Sequence, residues 1–422
     1  MKPTQAQVIK AVEAANVKLQ PGKKVEIDKQ KKATFGKKPI IFPDFFYGHP
    51  ENRADFPSRL NGSDVPDIQY EQHPLGYSPV PHTGGFHGGP RYSDDGWYGW
   101  YAIELSRVMK ERGEPIGIMM RQYNSPFPYG DDVDRRGQPD SLQLALDNIA
   151  QLDYVFMDLE GDVEMIEKNV REIHRMIREH PDPRINQARL GNYGNSANSR
   201  DEGMIWPDRR DLLTRWEEEG YNPVSMYLDC LDVSMPSTYP YETASVHCID
   251  WIQNGIVAPN PRAAIFWQGL ERLSAAKRHL PEGHMLIPWV GEYIYHSGGE
   301  NLYHAPKPSE TDNKALMMHF RMRGADCFYC FAQSFQRDYM DLAMEAWHSL
   351  DALFRLPIEK EIMNVETDKE SGVQWSGVKV AGIEILLVSN LSDEPTQIGQ
   401  HEIAPGEHRF VIGEKISEIP GA

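Results

Sequence analysis

Between residues 98 and 354 the chain alternates helical patterns with short apolar, β-prone runs, and no other feature restricts its fold so strongly. Strand-like runs cover 115–121, 154–161, 188–194, 231–239, 285–293 and 325–333, with an earlier one at 38–46. Helical patterns fall between them, over 98–112, 141–151, 163–179, 208–219, 261–279 and 312–322, and a last one covers 337–354. Such alternation builds βα units, which imply a mostly parallel sheet covered by helices. Seven strands, most ending in polar or aromatic residues, fit a (β/α)8 barrel better than an open sheet. One strand is still wanting, and residues 24–28, ahead of Asp44, are its expected place.

Three regions stand outside the alternation. A helical pattern over 5–16 opens the chain, and a lysine-rich segment follows. Residues 48–96 are rich in Gly, Pro, His and Asp without periodicity, and a loop of that length inside a compact domain is usually functional. After Pro357, short alternating runs at 372–380, 382–389 and 408–412 are separated by turn signals such as Pro405-Gly406. The expected architecture is an α/β chain: a (β/α)8, TIM-like barrel over 1–357 carrying the 48–96 loop, then a small antiparallel, β-sandwich-like domain over 358–422.

Charge and cysteine content exclude several functions. The formal charge of -18 disfavours nucleic acid and anionic membranes as partners, since a net-acidic surface repels polyanions. No apolar run approaches the length of a membrane span. No basic segment followed by an apolar one is visible after Met1, so the expected location is cytoplasmic, or secreted after loss of a signal. The four cysteines, Cys230, Cys248, Cys327 and Cys330, are too scattered for a disulfide scaffold. Cys327 and Cys330 share one buried strand with their sulfurs facing opposite ways, which makes them core residues.

The acids at the strand ends carry the chemistry. In Tyr154-Val-Phe-Met-Asp-Leu-Glu-Gly161, Asp158 and Glu160 are two residues apart, and side chains at i and i+2 share a strand face. Two carboxylates so close cannot both ionise freely, and the one whose pKa rises can serve as a general acid. The plain structural alternative is that one acid caps the following helix while the other pairs with a surface arginine. In a barrel the reacting groups come from the strands' carboxyl ends. Collected there are Asp44, Arg121, Tyr123, Asn124, Asn192, Tyr193, Tyr239, Tyr241, Trp289, Glu292, Tyr293 and Gln333, with His87 and Trp97 from the glycine-rich loop and its exit. Paired carboxylates in an aromatic-walled cleft suit hydrolysis of a glycosidic bond in an oligo- or polysaccharide. Glu292 is the expected partner of Glu160. Trp289 falls out of phase with it and is expected to aim at the helical shell unless the chain bends at Gly291.

At this point the chain resembles the retaining (β/α)8 glycoside hydrolases, whose catalytic glutamates lie on the fourth and seventh strands. If one strand precedes Asp44, 154–161 becomes the fourth and 285–293 the seventh. The resemblance then implies Glu160 as acid/base and Glu292 as nucleophile. It also implies that Tyr239 or Tyr241 hydrogen-bonds the nucleophile and that Arg121 helps to keep it ionised. A carbohydrate is the implied partner, with no cofactor and no metal. The pattern departs at Leu159, which stands where that superfamily carries Asn. The amide for the sugar's 2-hydroxyl is therefore expected from Asn192 or Asn124, and Asp158 is the alternative acid. Two rival classes remain in view. A metal-dependent barrel hydrolase would use His82 and His87 with His49, His73 and Asp44 or Asp158, although no H-x-H or H-E-x-x-H spacing is present. A non-catalytic carbohydrate-binding protein would use the aromatic cleft without turnover.

Overall fold

The computed structural model describes residues 3–20, 41–45, 80–81, 113–121, 139–159, 163–193, 230–238, 261–278, 280–291, 308–331, 337–363 and 372–413, and parts of 103–111. A first helix, α1 (Gln5–Leu19), starts at Thr4, whose side chain and that of Gln7 cap each other's backbone N–H. The parallel strands follow in chain order: β1 (Ile41–Phe45), β2 (Val80–Pro81), β3 (Gly117–Arg121), β4 (Tyr154–Asp158), β5 (Arg189–Tyr193), β6 (Val233–Met235), β7 (Met285–Leu286), β8 (Trp289–Gly291) and β9 (Phe328–Phe331). Helices α2 (Pro139–Asn148), α3 (Val163–Arg178), the short α4 (Pro183–Asn186), α5 (Pro261–Arg278), α6 (Glu310–Met322), α7 (Arg337–Ser349) and α8 (Asp351–Phe354) lie between or after them. No helix among the described residues is long and apolar enough to cross a membrane.

The strands form two parallel sheets, ordered β3-β4-β5-β6-β7 and β2-β1-β9-β8. β7 and β8 are one run interrupted at Pro288, which has no N–H to give to a ladder. Hydrogen bonding to β6 and its extension continues across the break. Ile287 N–H donates to Ser234 C=O at 2.9 Å, Trp289 N–H to Pro236 C=O at 2.9 Å, and Thr238 N–H to Trp289 C=O at 3.0 Å. With the Ser237–Trp289 bridge, this run joins the two sheets. At the far seam no ladder links β2 to β3 among the described residues, yet they meet closely. A Cβ on Gly117 would lie 3.2 Å from Val80 Cγ2.

The additional strand in the structure is β2, inside the 48–96 stretch, whereas the expected position at 24–28 lies outside the described residues. A strand of two residues has no period to read. With β7 and β8 counted as one, 154–158 is still the fourth strand and 285–291 the seventh, but the extra strand follows Asp44 instead of preceding it.

Alternation along each strand sorts the side chains into two layers. Val80, Met119, Phe156, Met235, Trp289 and Tyr329 belong to one cluster, on the face of the strands away from the helices. Val155, Met157 and Leu190 pack instead on α2 and α3 through Leu142, Leu146, Val170 and Ile173. Leu286, Val290, Phe328 and Cys330 pack on α5, α6 and α7. Strands covered on both sides are why the sequence shows continuous apolar runs there. Cys327 lies in the inner cluster and Cys330 in a helix-side one, so their sulfurs do face opposite ways.

The rest is antiparallel. β10 (Ile358–Met363), β11 (Val373–Val380), β12 (Ile383–Asn390) and β15 (His408–Ile412) form one sheet in that order, and β13 (Thr396–Ile398) pairs with β14 (His401–Ile403). The β11–β12 turn is the two residues Ala381 and Gly382, both at positive φ (53° and 82°), which matches the strands' twist. α1 covers the outer edge of β15. Asn16 Oδ1 accepts from Phe410 N–H at 2.7 Å, and its Nδ2 donates to Phe410 C=O at 3.1 Å. A buried polar chain crosses between α6 and this sheet, from Arg323 Nε to Ser376 Oγ (2.6 Å) and on to His319 Nδ1 (2.9 Å). It continues from His319 Nε2 to Ser389 Oγ (2.8 Å), then to His408 Nδ1 (2.7 Å), and ends from His408 Nε2 to Asp312 Oδ1 (2.9 Å).

Candidate functional site

The carboxyl end of β4 is built from both sides. β3 and β4 run in register to their last residues, so Arg121 pairs with Asp158 across the ladder, and Asp44 on β1 opposes Val80. Asp158 follows Tyr154 and Phe156 in alternation, both in the inner cluster, so its half-buried carboxylate belongs to the inner face. Leu159 turns the other way and is buried against the helices.

The backbone of Leu159 is held by Asn192. Leu159 N–H donates to Asn192 Oδ1 at 3.1 Å, and Asn192 Nδ2 donates to Leu159 C=O at 3.3 Å. This corrects the expectation that Asn192 offers its amide to a sugar. Asn192 is 1% exposed, and its amide is committed to the protein's own chain. Parity is the physical reason. Asn192 pairs with Met157, which faces the helices, while Gly191 and Tyr193 on either side belong to the inner face.

An aromatic floor lies on the inner face of the strands. Trp289 stacks on Tyr329 (centroids 4.3 Å apart, planes at 23°) and tilts against Tyr193 (4.4 Å, 54°). Tyr329 meets the edge of Phe156 at 5.4 Å. Tyr193 is half-buried, and its hydroxyl donates to Ser237 Oγ at 3.2 Å. The end of β6 is fixed behind it. Arg272 donates to Ser237 C=O at 2.7 Å, and Thr238 Oγ1 donates to Trp289 C=O at 2.8 Å.

Trp289 therefore does not aim at the helical shell, as its phase with Glu292 suggested. It shares the inner cluster with Ile287, while Leu286 and Val290 face the helices. At 1% exposure Trp289 is floor rather than open sugar platform. At the opposite end of the inner layer, burial pushes the Tyr154 phenol far above its ordinary range, with Cys327 adding to the effect, so it packs as a neutral ring.

Glu160, Glu292, Tyr123, Asn124, Tyr239, Tyr241, Tyr293, Gln333, His87 and Trp97 lie outside the described residues, as do His49, His73 and His82. Among the described residues no three His, Cys, Asp or Glu side chains converge as a metal site. The structure adds Ser237 and Tyr329 to the inner face. Their signal was alternation from Met235 and from Cys327, which the short strands concealed.

No protein-family model matches the chain, and no curated protein matches it in sequence. Among solved structures the chain is similar to a conserved exported protein from Bacteroides fragilis (9% identity, TM-score 0.36, 76% of this chain and 78% of that one). It is also similar to a debranching enzyme from Nostoc punctiforme (9%, TM-score 0.39, 86% and 91%). A third is a cyclic alpha-maltosyl-(1-->6)-maltose hydrolase from Arthrobacter globiformis (9%, TM-score 0.34, 74% and 78%). Likenesses this distant carry no weight on chemistry, and the site stands on its own geometry.

Proposed function

We propose that the chain is a glycoside hydrolase acting on an oligo- or polysaccharide, with its site at the carboxyl ends of a (β/α)8 barrel spanning 1–357 and a β-domain from 358 onward. One observation carries the reading. Asp158 occupies the inner face at the end of β4, in register with Arg121, and the same face carries Tyr193, Trp289 and Tyr329. Cleavage of a sugar acetal takes a pair of carboxylates, of which Asp158 would be one, and the half-buried Tyr193 offers an aromatic surface on the same face.

In the proposed reaction Glu160 gives its proton to the leaving oxygen as the glycosidic bond breaks. A carboxylate, Glu292 or Asp158, bonds to the anomeric carbon, and water activated by Glu160 then releases the sugar with retention. Asp158 has the inner-face parity that an attacking group needs.

The test is turnover of 4-nitrophenyl α- and β-glycosides and of soluble polysaccharides by the full chain, beside Asp158→Asn, Glu160→Gln and Glu292→Gln. Hydrolysis by the wild type and a fall of about 100-fold or more in two of the three variants is expected. Hydrolysis undiminished in all three would sink the reading. Loss of activity to a chelator would move it to the metal-dependent class.

A further inference from the structure

We infer that Asn192 is a positioning residue for the backbone of Leu159 and, through it, for Asp158, acting through the chain and not on substrate; this rests on the glycosidase reading above. The β4–β5 register runs as far as the pair Met157–Asn192. Leu159 is the next residue of β4's outward-facing series. Where the ladder stops, the Asn192 amide takes over both of its backbone groups, at 3.1 and 3.3 Å. The Leu159 side chain, 1% exposed, is packed among the helix-side residues. One residue is thus held at its N–H, its C=O and its side chain, so the peptides on both sides of it are fixed, immediately after an acid on the opposite face.

A strand end needs no asparagine for packing. Leu190, two residues earlier on the same face, fills the equivalent place with an apolar side chain. A buried amide is tolerated only when its hydrogen bonds are made. What asparagine adds over leucine is a fixed orientation for the Leu159 backbone, and with it for the Asp158 carboxylate. Misplacing a reacting group by about 1 Å can lower turnover about 100-fold, so such a clamp acts on rate more than on stability.

The test compares wild type, Asn192→Leu and Asp158→Asn on whichever 4-nitrophenyl glycoside or polysaccharide the wild type cleaves. Leu159 amide exchange, thermal unfolding and the pH profile are followed alongside. The leucine variant is expected to exchange the Leu159 amide faster and to lose roughly 10- to 100-fold in kcat with little change in KM. The pH limb belonging to Asp158 should also move. Should that variant fail to fold, Asn192→Asp, which keeps the acceptor for Leu159 N–H, gives the same readings with a smaller loss. A folded leucine variant with wild-type kcat, beside an inactive Asp158→Asn, overturns the positioning role alone. An Asp158→Asn enzyme as active as wild type overturns the role of Asp158 and that of Asn192 with it, whereas the glycosidase reading falls only if Glu160→Gln and Glu292→Gln are undiminished as well.

Discussion

His408 Nε2 lies 2.9 Å from Asp312 Oδ1, which ties the last strand to the first turn of α6. The pair ends the polar chain that starts at Arg323. Arg323 can only donate and the Asp312 carboxylate can only accept. With one proton on each imidazole the chain then has a single direction. Arg323 donates to Ser376, Ser376 to His319 Nδ1, His319 Nε2–H to Ser389, Ser389 to His408 Nδ1, and His408 Nε2–H to Asp312. Every donor in the sequence meets one acceptor, although three strands and a helix contribute to it.

That direction assigns the tautomers. Both His319 and His408 should carry their proton on Nε2, which ¹⁵N-detected imidazole spectra distinguish directly. An Nδ1–H form of His319 would demand a second proton on His408 and would remove the one-way order.

The same chain makes stability sensitive to mild acid. Burial, with the positive charge of Arg323, holds His319 well below the usual histidine range. The unfolded chain takes up a proton below about pH 6.5, and the folded one does not. Stability contributed by His319 is therefore complete above that pH and falls as the pH drops, by up to about 1.4 kcal/mol per pH unit. Burial alone would raise the Asp312 carboxyl, but hydrogen bonds from His408 and Arg262 outweigh it and hold it well below the usual range. Its contribution is complete above about pH 4 and is lost on further acidification. Urea midpoints between pH 8 and 5 should decline more steeply for wild type than for His319→Asn. Parallel curves would contradict the assignment.

Gly191 is required by the inner layer. A Cβ there would meet Met235 Sδ at 2.6 Å and Val233 Cβ at 3.0 Å, and the second is too close to the backbone to swing aside. Gly191→Ala should lose about 1–3 kcal/mol to overpacking. Equilibrium denaturation measures it, and a neutral result would mean that β5 and β6 are less closely apposed.

The β11–β12 turn predicts a gain. Ala381 is the one non-glycine residue at positive φ among the described residues, a conformation that asparagine tolerates better than alanine. Ala381→Asn should stabilise by roughly 0.5–1 kcal/mol. A lower thermal midpoint would show that the side chain has a packing role the turn does not reveal.

The parallel strands were legible because each is a run of apolar residues between helical patterns, and 154–158 and 189–193 fall inside the runs read from sequence. β2 was not, since Val80 and Pro81 sit in a stretch whose composition signals only loop. At the site, the inward parity of Asp158 followed from its spacing to Phe156. The placement of Asn192 could also have been read from parity, because it alternates with Leu190 and not with Tyr193. What one strand's pattern could not supply is the partner across the ladder. The bonds from Asn192 to Leu159 join residues 33 positions apart. Trp289 was misjudged by counting from Glu292, when the phase is set by Ile287 and Val290.

The contact between Asn16 and Phe410 spans 394 positions, so it constrains the order of events on the ribosome. At synthesis rates of about 5–20 residues per second, the first helix waits roughly 20–80 s for the strand it will cover. During that interval its apolar stripe, with Val8, Val12, Ala15 and Leu19, has nothing native to bury against on β15. The strand, once made, presents an open edge until the helix returns. The two chain segments thus act as a clasp that can close only after all the chain between them has been made.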